Sequence, residues 1–238
     1  RSTLFPYTTL FRSGWTRIPP IVRSAALPPG DAAACRRSLG LDPELPVLLI
    51  TGASLGARSI NRLMLELLAR MPGAFAGWQV LHQTGDSDGD ALTKAYASAG
   101  VPAIVRPFVT SMGVWWGAAE IALARCGAGL VAEAWASRTP AVFLPYPYHK
   151  DQHQRANAMP LVEAGAAVLC EDRIEPAANA EDAGRTLVSL LADRAKARKM
   201  REASLALGPV DGAARAASAV LDVAGLSGLG TGGVDRVP

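Results

Sequence analysis

The sequence predicts an α/β fold in which helices cover both faces of a parallel sheet. From Val47 to about Ala224, short apolar runs alternate with longer segments of helical periodicity. This order is typical of parallel strands joined by helical crossovers. The apolar runs, such as VLLIT at 47–51, show no alternation of apolar and polar residues. Both faces of each strand are therefore expected to be buried.

Each element follows from a local pattern. Strands are expected at 47–51, 78–84, 103–109, 120–125, 140–146 and 166–171. Helices are expected at 57–71, 90–100, 111–119, 126–137 and 151–165, with a short piece near 31–40 and two or three helices after the last strand. The helix at 57–71 ends at Met71-Pro72-Gly73. Its apolar residues share one face, namely Ile60, Leu63, Met64, Leu67, Leu68 and Met71.

Composition and charge narrow the function classes. Half of the residues are hydrophobic, which suits a sizeable core, and the net charge of +3 is too small to indicate a nucleic-acid partner. No apolar stretch reaches the ~18 residues that a spanning helix needs. Cys35, Cys126 and Cys170 are odd in number and widely spaced, which favours reduced thiols in a cytoplasmic protein over a disulfide framework.

Three stretches are expected at the carboxyl ends of strands, where open parallel sheets bind ligands. The first is TGASLGAR at 51–58. Gly52 and Gly56 let backbone approach a ligand, Ser54 supplies a hydroxyl, and the helix start offers free N–H groups to an anion. The spacing matches neither a P-loop nor G-x-G-x-x-G. An ordinary strand–helix turn explains it about as well as phosphate binding.

The second stretch, RCGAGLVAE at 125–133, repeats this arrangement later in the sheet. Gly127 and Gly129 flank a helix start, and Glu133 follows. A carboxylate can accept two hydrogen bonds from a vicinal diol such as a ribose. The competing interpretation is an acidic residue at a helix start, which the helix dipole favours in any case.

The third stretch, PYPYHKDQHQRANA at 145–158, is rich in polar groups. Gln154 and Asn157 lie three residues apart and share a helical face, and their amides can read sugar hydroxyls as donors and acceptors. His149 and His153 have the spacing of a metal pair, but no HExxH pattern or evident third ligand accompanies them. The stretch therefore favours sugar recognition over a metal site.

Aromatic and imidazole side chains elsewhere are interpreted as structural. Trp115 and Trp116 lie in a predicted short helix and are expected to fill core and interface space. His82 ends a predicted strand, where a hydrogen-bonded scaffold role is favoured over catalysis.

Taken in order, four motifs resemble the C-terminal domain of the peptidoglycan glycosyltransferases that make lipid II. They are GASLGARSIN, VRPFVTSM, the 125–133 segment, and PYPYHKDQHQRANA followed by LVEAGAAVL. The likeness covers about residues 17–224. The last motif is the most specific, whereas the glycine turns occur in other nucleotide-sugar enzymes. The resemblance implies a Rossmann-like domain, the C-terminal half of a GT-B glycosyltransferase.

The resemblance also implies an activity. The family transfers N-acetylglucosamine (GlcNAc) from UDP-GlcNAc, with inversion, to the C4 hydroxyl of the N-acetylmuramoyl unit of lipid I. Its C-terminal domain holds UDP-GlcNAc. Its N-terminal domain holds lipid I, supplies the base and meets the inner-leaflet membrane surface, as a peripheral protein on the cytoplasmic face of the bacterial inner membrane. No cofactor and no metal are implied, and no catalytic residue is expected in this chain.

The resemblance places three groups of residues around the donor. The diphosphate would meet Arg23, Gly52, Ser54, Ala128, Gly129 and Leu130. The uracil would meet the backbone of Val109, and the ribose diol would meet Glu133. The GlcNAc hydroxyls would meet His153, Gln154 and Asn157.

Three positions depart from the family pattern. Ala53 stands where the family often has a second glycine, Leu130 where it often has threonine, and His153 where some members carry glutamine. The Ala53 methyl would crowd the phosphates, and Leu130 lacks a hydroxyl donor. The acidic residue at 133 and the amide at 154 remain.

The ends of the chain are interpreted separately. Residues 1–13 include TLFPYTTLFRS, which resembles the translation of a common sequencing adapter and is interpreted as non-native. Residues 14–46 are expected to be a linker and domain entry, 47–224 the UDP-sugar-binding domain, and 225–238 a disordered Gly-rich tail. No counterpart of the family's N-terminal glycine-rich loops is visible, so the chain is expected to be a C-terminal fragment, inactive alone.

Two alternative functions stay open. A UDP-GlcNAc 2-epimerase on the same fold would need its own acid/base carboxylates and a histidine in the cleft. A non-catalytic sugar-nucleotide-binding half would need a separate partner chain.

Overall fold

The central strand of the fold, β1 (Val47–Thr51), is buried along its whole length. A computed structural model describes residues 18–53, 56–148 and 151–226 of the chain. The other strands are β2 (Gln79–Gln83), β3 (Ala103–Arg106), β4 (Ile121–Ala124), β5 (Ala141–Phe143) and β6 (Ala167–Leu169). All pairs are parallel, in the order β3-β2-β1-β4-β5-β6. The predicted fold class is confirmed.

Helices follow the strands as crossovers. Those before β6 are α1 (Ala32–Ser38), α2 (Arg58–Arg70), α3 (Gly89–Ser98), α4 (Met112–Ala118), α5 (Ala128–Ser137) and α6 (His153–Glu163). Those after β6 are α7 (Pro176–Asn179), α8 (Arg185–Ala192), α9 (Arg194–Ala203) and α10 (Gly212–Val223), with one π turn at Ala180–Gly184 between α7 and α8. Single 3₁₀ turns lie at Ser24–Ala26, Pro72–Phe75 and Ser204–Leu207.

Two hydrophobic cores lie on opposite faces of the sheet. Leu48 and Ile50 of β1 belong to one core, with the predicted apolar face of α2. Val47 and Leu49 belong to the other, with α4 and α5. Successive side chains of a strand point to opposite faces, so a strand inside a doubly covered sheet must be apolar throughout. This is why the VLLIT run does not alternate.

The structure shortens several predicted strands and adds helical segments. β3 ends at Arg106 because Pro107 has no N–H to donate to a ladder. β5 ends at Phe143, before the two prolines of PYPY. Within the described residues, four helices follow β6 instead of the two or three expected. Asp193 accounts for the boundary between α8 and α9, since its side chain accepts a hydrogen bond from Lys196 N and so starts α9.

Some sequence-based interpretations concern residues that the structure does not describe. The segment at 1–13 and residues 227–238 lie outside the described ranges, as do Ser54 and His149. Within those ranges, no helix combines the length and apolar character that crossing a membrane requires. The three cysteines are buried free thiols.

Candidate functional site

The switch point of the sheet brings the first two candidate stretches together. Strand order reverses between β1 and β4, and ligands bind outside the carboxyl ends of strands at such a point. Thr51 and Ala124 are register partners at these ends, and Arg125 N donates to Thr51 O at 3.2 Å. The loops that follow β1 and β4 therefore leave the sheet side by side.

The loop after β1 needs its glycines for packing. A Cβ on Gly52 would overlap the backbone of Gly56 and Ala57, and one on Gly56 would overlap Thr84 O. Gly56 also has a φ of +71°. The fold itself thus accounts for both glycines, and a phosphate role for Gly52 stays a prediction. Ser54, the hydroxyl predicted to meet the diphosphate, lies outside the described residues.

Ala53, which departs from the family pattern, adopts a left-handed conformation with a φ of 66°. That region costs an L-residue roughly 1–2 kcal/mol relative to the right-handed one. Glycine carries no such cost, so the glycine often found at this position in the family matches the backbone seen here.

The loop after β4 is different, because neither packing nor conformation requires its glycines. A Cβ on Gly127 or Gly129 would meet no atom within 4 Å among the described residues, and Gly127 has an ordinary φ of −61°. Both glycines keep the surface in front of α5 open.

The start of α5 is itself uncapped. No side chain bonds its first turn, and in the described part of the chain the N–H groups of Ala128, Gly129 and Leu130 find no acceptor. Free amides at a helix start form an anion site. The side chain of Leu130 is buried in the core, so this residue can offer a ligand only its backbone, not the hydroxyl that a threonine would add.

Glu133 lies near this helix start, and a hydrogen bond from α4 holds its carboxylate. It is the sixth residue of α5, so the interpretation as a first-turn acid is wrong. The indole Nε1 of Trp116 donates to Glu133 Oε2 at 2.7 Å, and Glu133 is 9% exposed. Burial raises the pKa of Glu133, and the Trp116 hydrogen bond and the charge of Arg23 partly offset that rise.

Arg23 acts on Glu133 from the linker, which packs against α4. The turn at Ser24–Ala26 follows Arg23. Gly113 of α4 lets this segment lie directly on the helix, because a Cβ there would overlap Leu27 O. Arg23 is exposed, and its charge acts on the Glu133 carboxylate. The structure therefore brings two residues that were predicted to contact different parts of the donor within electrostatic reach of each other.

The third candidate stretch joins the same edge through Gln154 and Asn157. Gln154 Oε1 accepts from Tyr146 N at 2.9 Å, so the predicted donor to a sugar hydroxyl is its NH₂ group. Asn157 Nδ2 donates to Cys126 O at 3.3 Å, so Asn157 also tethers the β4–α5 loop.

His153, the third predicted sugar contact, begins α6 with its imidazole already engaged. Its Nδ1 lies 2.7 Å from Asp151 Oδ1. Among the described residues there is no group of three or more potential metal ligands, and His149 lies outside them.

Val109 follows β3 on the same edge of the sheet. Its side chain packs partly against the second core. Neither its N–H nor its C=O bonds to another residue in the described ranges. Its backbone therefore meets the requirement for pairing with a uracil edge.

An ion pair that sequence reasoning missed ties these loops together. The Arg125 guanidinium lies 2.6 Å from Asp172 Oδ2, with the two side chains 9% and 0% exposed. Arg125 also donates to Ser59 Oγ, to Leu144 O and to Pro145 O. An arginine directly after the apolar run IALA was the available signal, because a charge at the end of a buried strand requires partners.

A cavity of about 920 Å³ borders the site between the linker, α5 and α6. Ala128 and Asn157 line it, together with Ile18, Pro19 and Trp135. A second cavity of about 690 Å³, after β2, is lined by Asp86, Asp88 and Asp90 and by none of the candidate residues. The first cavity therefore adjoins the candidate site, and the second lies apart from it.

Comparisons with known proteins agree on one family. The family model of the glycosyltransferase family 28 C-terminal domain matches residues 47–214. A UDP-N-acetylglucosamine–N-acetylmuramyl-(pentapeptide) pyrophosphoryl-undecaprenol N-acetylglucosamine transferase of Paenarthrobacter aurescens is 40% identical over 199 residues, which cover 80% of this chain and 50% of that protein. The Chlorobaculum tepidum protein of the same name is 36% identical over 195 residues, covering 82% and 51%.

A solved structure shows the same relationship. The crystal structure of Acinetobacter baumannii MurG matches with a TM-score of 0.70 and 25% identity, over 92% of this chain and 58% of that one. The resemblance that the motifs indicated is confirmed, and with it the Rossmann-like half of a GT-B glycosyltransferase. The chain spans about half the length of the curated relatives it matches.

Proposed function

The chain belongs to glycosyltransferase family 28 through the C-terminal domain of that family, and we propose that it is the donor-binding half of an N-acetylglucosaminyltransferase. The proposed donor is UDP-GlcNAc. The proposed acceptor is the C4 hydroxyl of the N-acetylmuramoyl unit of lipid I, and the product is lipid II for peptidoglycan synthesis. The relatives at 36–40% identity carry the name of this reaction.

One observation carries the proposal. At the switch point, an uncapped helix start with two glycines facing open space adjoins a buried carboxylate held by Trp116. The free amides suit a diphosphate, and a carboxylate accepts both hydroxyls of a ribose. A nucleoside diphosphate presents these two groups side by side.

The proposed mechanism is a displacement at C1 of GlcNAc with inversion. The acceptor hydroxyl attacks C1, a base takes its proton, and the bond from C1 to the β-phosphate oxygen breaks to release UDP. The α5 amides and the helix dipole stabilise the negative charge that develops on UDP. Arg23 adds a positive charge from the linker.

The division of labour between two domains follows from the same proposal. Transfer requires the acceptor hydroxyl within reach of C1, with a base beside it. A second domain would hold lipid I, supply the base and meet the membrane, which would place the whole enzyme on the cytoplasmic face of the inner membrane as a peripheral protein. We propose 47–224 as the donor domain and 14–46 as the linker.

The test joins this chain, from Thr16 onward, behind the N-terminal half of the Paenarthrobacter aurescens relative. We expect the chimera to make lipid II from UDP-GlcNAc and a lipid I analogue. The 238-residue chain alone and a chimera carrying Glu133→Ala should make little or none. Lipid II made by the isolated chain, free of host enzyme, would contradict the division of labour.

The same experiment separates the alternatives. Conversion of UDP-GlcNAc alone into its N-acetylmannosamine epimer would replace the transferase with a 2-epimerase. UDP-GlcNAc binding without turnover in a well-folded chimera would favour a binding half that needs its own partner chain.

A further inference from the structure

A hydrogen bond between α4 and α5 joins the indole of Trp116 to the carboxylate of Glu133. Trp116 is 1% exposed, Glu133 is 9% exposed, and the indole N–H and the carboxylate oxygen are 2.7 Å apart. A buried hydrogen bond to an ionised acceptor is among the stronger kinds. Trp116 therefore does more than fill space between the helices.

Close packing around α4 fixes the position of the Trp116 indole N–H. A Cβ on Gly117 would lie 2.6 Å from Cys35 Sγ, and one on Gly113 would overlap Leu27 O. Helix α1 and the linker thus pack directly against α4, at two different positions along it. The indole of Trp116 is held in a segment with little room to shift.

The neighbouring tryptophan provides a contrast. Trp115 is 4% exposed and belongs to the same core as Trp116. Its indole N–H makes no hydrogen bond to any residue within 18–53, 56–148 and 151–226. A tryptophan can therefore be buried in this core without a hydrogen bond between its indole and a carboxylate.

We propose that Trp116 is a positioning residue for the ribose-binding carboxylate, fixing Glu133 Oε2 so that Oε1 faces the ribose diol. The inference rests on the proposed donor-binding function. In the described part of the chain, Oε1 accepts no hydrogen bond. A side chain already fixed loses less rotamer freedom when the ligand binds.

The same contact favours the ionised carboxylate, which is the form that accepts hydrogen bonds through both oxygens. Burial favours the neutral form of Glu133, and Trp116 and Arg23 oppose it. Among the described residues, Arg23 on the linker is the charged group that acts on Glu133. A neutral carboxyl would present one donor where the diol needs two acceptors.

The experiment compares UDP with 2′-deoxy-UDP by calorimetry, using the 238-residue chain and two matched variants. The wild type should prefer UDP by ~10-fold or more, the value of one charge-assisted hydrogen bond. Trp116→Phe should reduce this preference to below ~3-fold. Trp115→Phe removes a similar volume from the same core and should leave the preference unchanged.

The outcomes separate the two proposals. A wild type that binds neither nucleotide contradicts the donor-binding function and, with it, the role of Trp116. A wild type that prefers UDP, with Trp116→Phe keeping the same preference as Trp115→Phe, overturns the role of Trp116 alone.

A second measurement covers the case in which Trp116→Phe does not fold. In the wild-type chain, the indole N–H resonance of Trp116 should shift on addition of UDP and shift less with 2′-deoxy-UDP. The Trp115 indole resonance should move little with either nucleotide. Equal shifts of the Trp116 resonance with both would overturn the proposal.

Discussion

The guanidinium of Arg125 lies 2.6 Å from the carboxylate of Asp172, and this ion pair joins the ends of β4 and β6. Burial would raise the pKa of Asp172, but hydrogen bonds from Ser59, Asn179 and Ile174 N, with the Arg125 charge, outweigh it and hold the pKa below its ordinary value. The pair therefore remains ionised inside the protein. It fixes the loops from which the candidate site is built.

Asp172→Asn should destabilise the fold strongly. Removing one partner of a buried pair leaves an uncompensated charge, which costs ~3–5 kcal/mol of unfolding free energy. Asp182→Asn is the matched control, since its carboxylate lies 3.9 Å from Arg173 on the surface, where a pair contributes ~0–1 kcal/mol. Urea denaturation measures both. A loss below ~1 kcal/mol for Asp172→Asn would contradict the role given to this pair.

His82 should lower the free energy of unfolding as the pH drops below neutral. Burial lowers the pKa of His82 to about 3. As the pH falls, His82 of the unfolded chain takes up a proton near pH 6.5, whereas His82 of the folded chain does so only near pH 3. Stability that is fully present above pH 6.5 is therefore lost as the pH falls towards 3. The slope from this group is ~1.4 kcal/mol per pH unit.

The hydrogen bonds around His82 suit a neutral imidazole, and one variant tests its effect on stability. Asn61 donates to Thr84 O, so its Oδ1 faces His82 Nε2 as an acceptor, and Nδ1 accepts from Tyr96 OH. Between pH 6.5 and 4.5, unfolding free energy should fall less steeply in His82→Gln than in the wild type. Identical slopes in the two proteins would rule out this account.

Gly129→Ala should separate folding from binding. Its Cβ would meet open space, and alanine is favoured over glycine in a helix by ~1 kcal/mol, so stability should stay equal or rise. UDP binding should weaken by ~10-fold or more, because the methyl group would occupy the proposed diphosphate position. Gly73→Ala, also open but in a turn after α2, should leave UDP binding unchanged. Unchanged binding by Gly129→Ala would remove the diphosphate from this helix start.

Gln154→Ala should affect the sugar more than the nucleotide. The carbonyl of Gln154 is occupied by Tyr146 N, and its NH₂ group is the donor that a GlcNAc hydroxyl can use. Loss of this donor should weaken UDP-GlcNAc by ~10-fold while UDP binding changes much less. Calorimetry with the two ligands gives the comparison. Equal losses would assign Gln154 to the scaffold of the 145–154 loop.

Local patterns predicted most of the fold because strands and helices depend on neighbouring residues. The buried run at 47–51 and the periodic face of α2 both appear in the structure. The pairs that shape the site were not predictable in this way. Trp116 and Glu133 meet between two helices, and Arg125 and Asp172 meet between two strand ends. Such contacts depend on strand order, which no local pattern specifies.

The glycine motifs show the same limit. In sequence, GASLGA and RCGAG look like equivalent turns. In the structure, backbone packing requires Gly52, whereas Gly127 faces open space. Only the three-dimensional surroundings distinguish a glycine needed by the fold from one that leaves room for a ligand.

The most direct test of the donor-binding claim is a calorimetric titration of the 238-residue chain with UDP, beside Glu133→Ala and Glu202→Ala. Glu202 is an exposed acidic residue of α9. We predict measurable binding by the wild type and by Glu202→Ala. Glu133→Ala should bind more weakly by ~1–3 kcal/mol, since the ribose hydroxyls lose their acceptor. No binding by the wild type, or equal binding by all three proteins, would contradict the account.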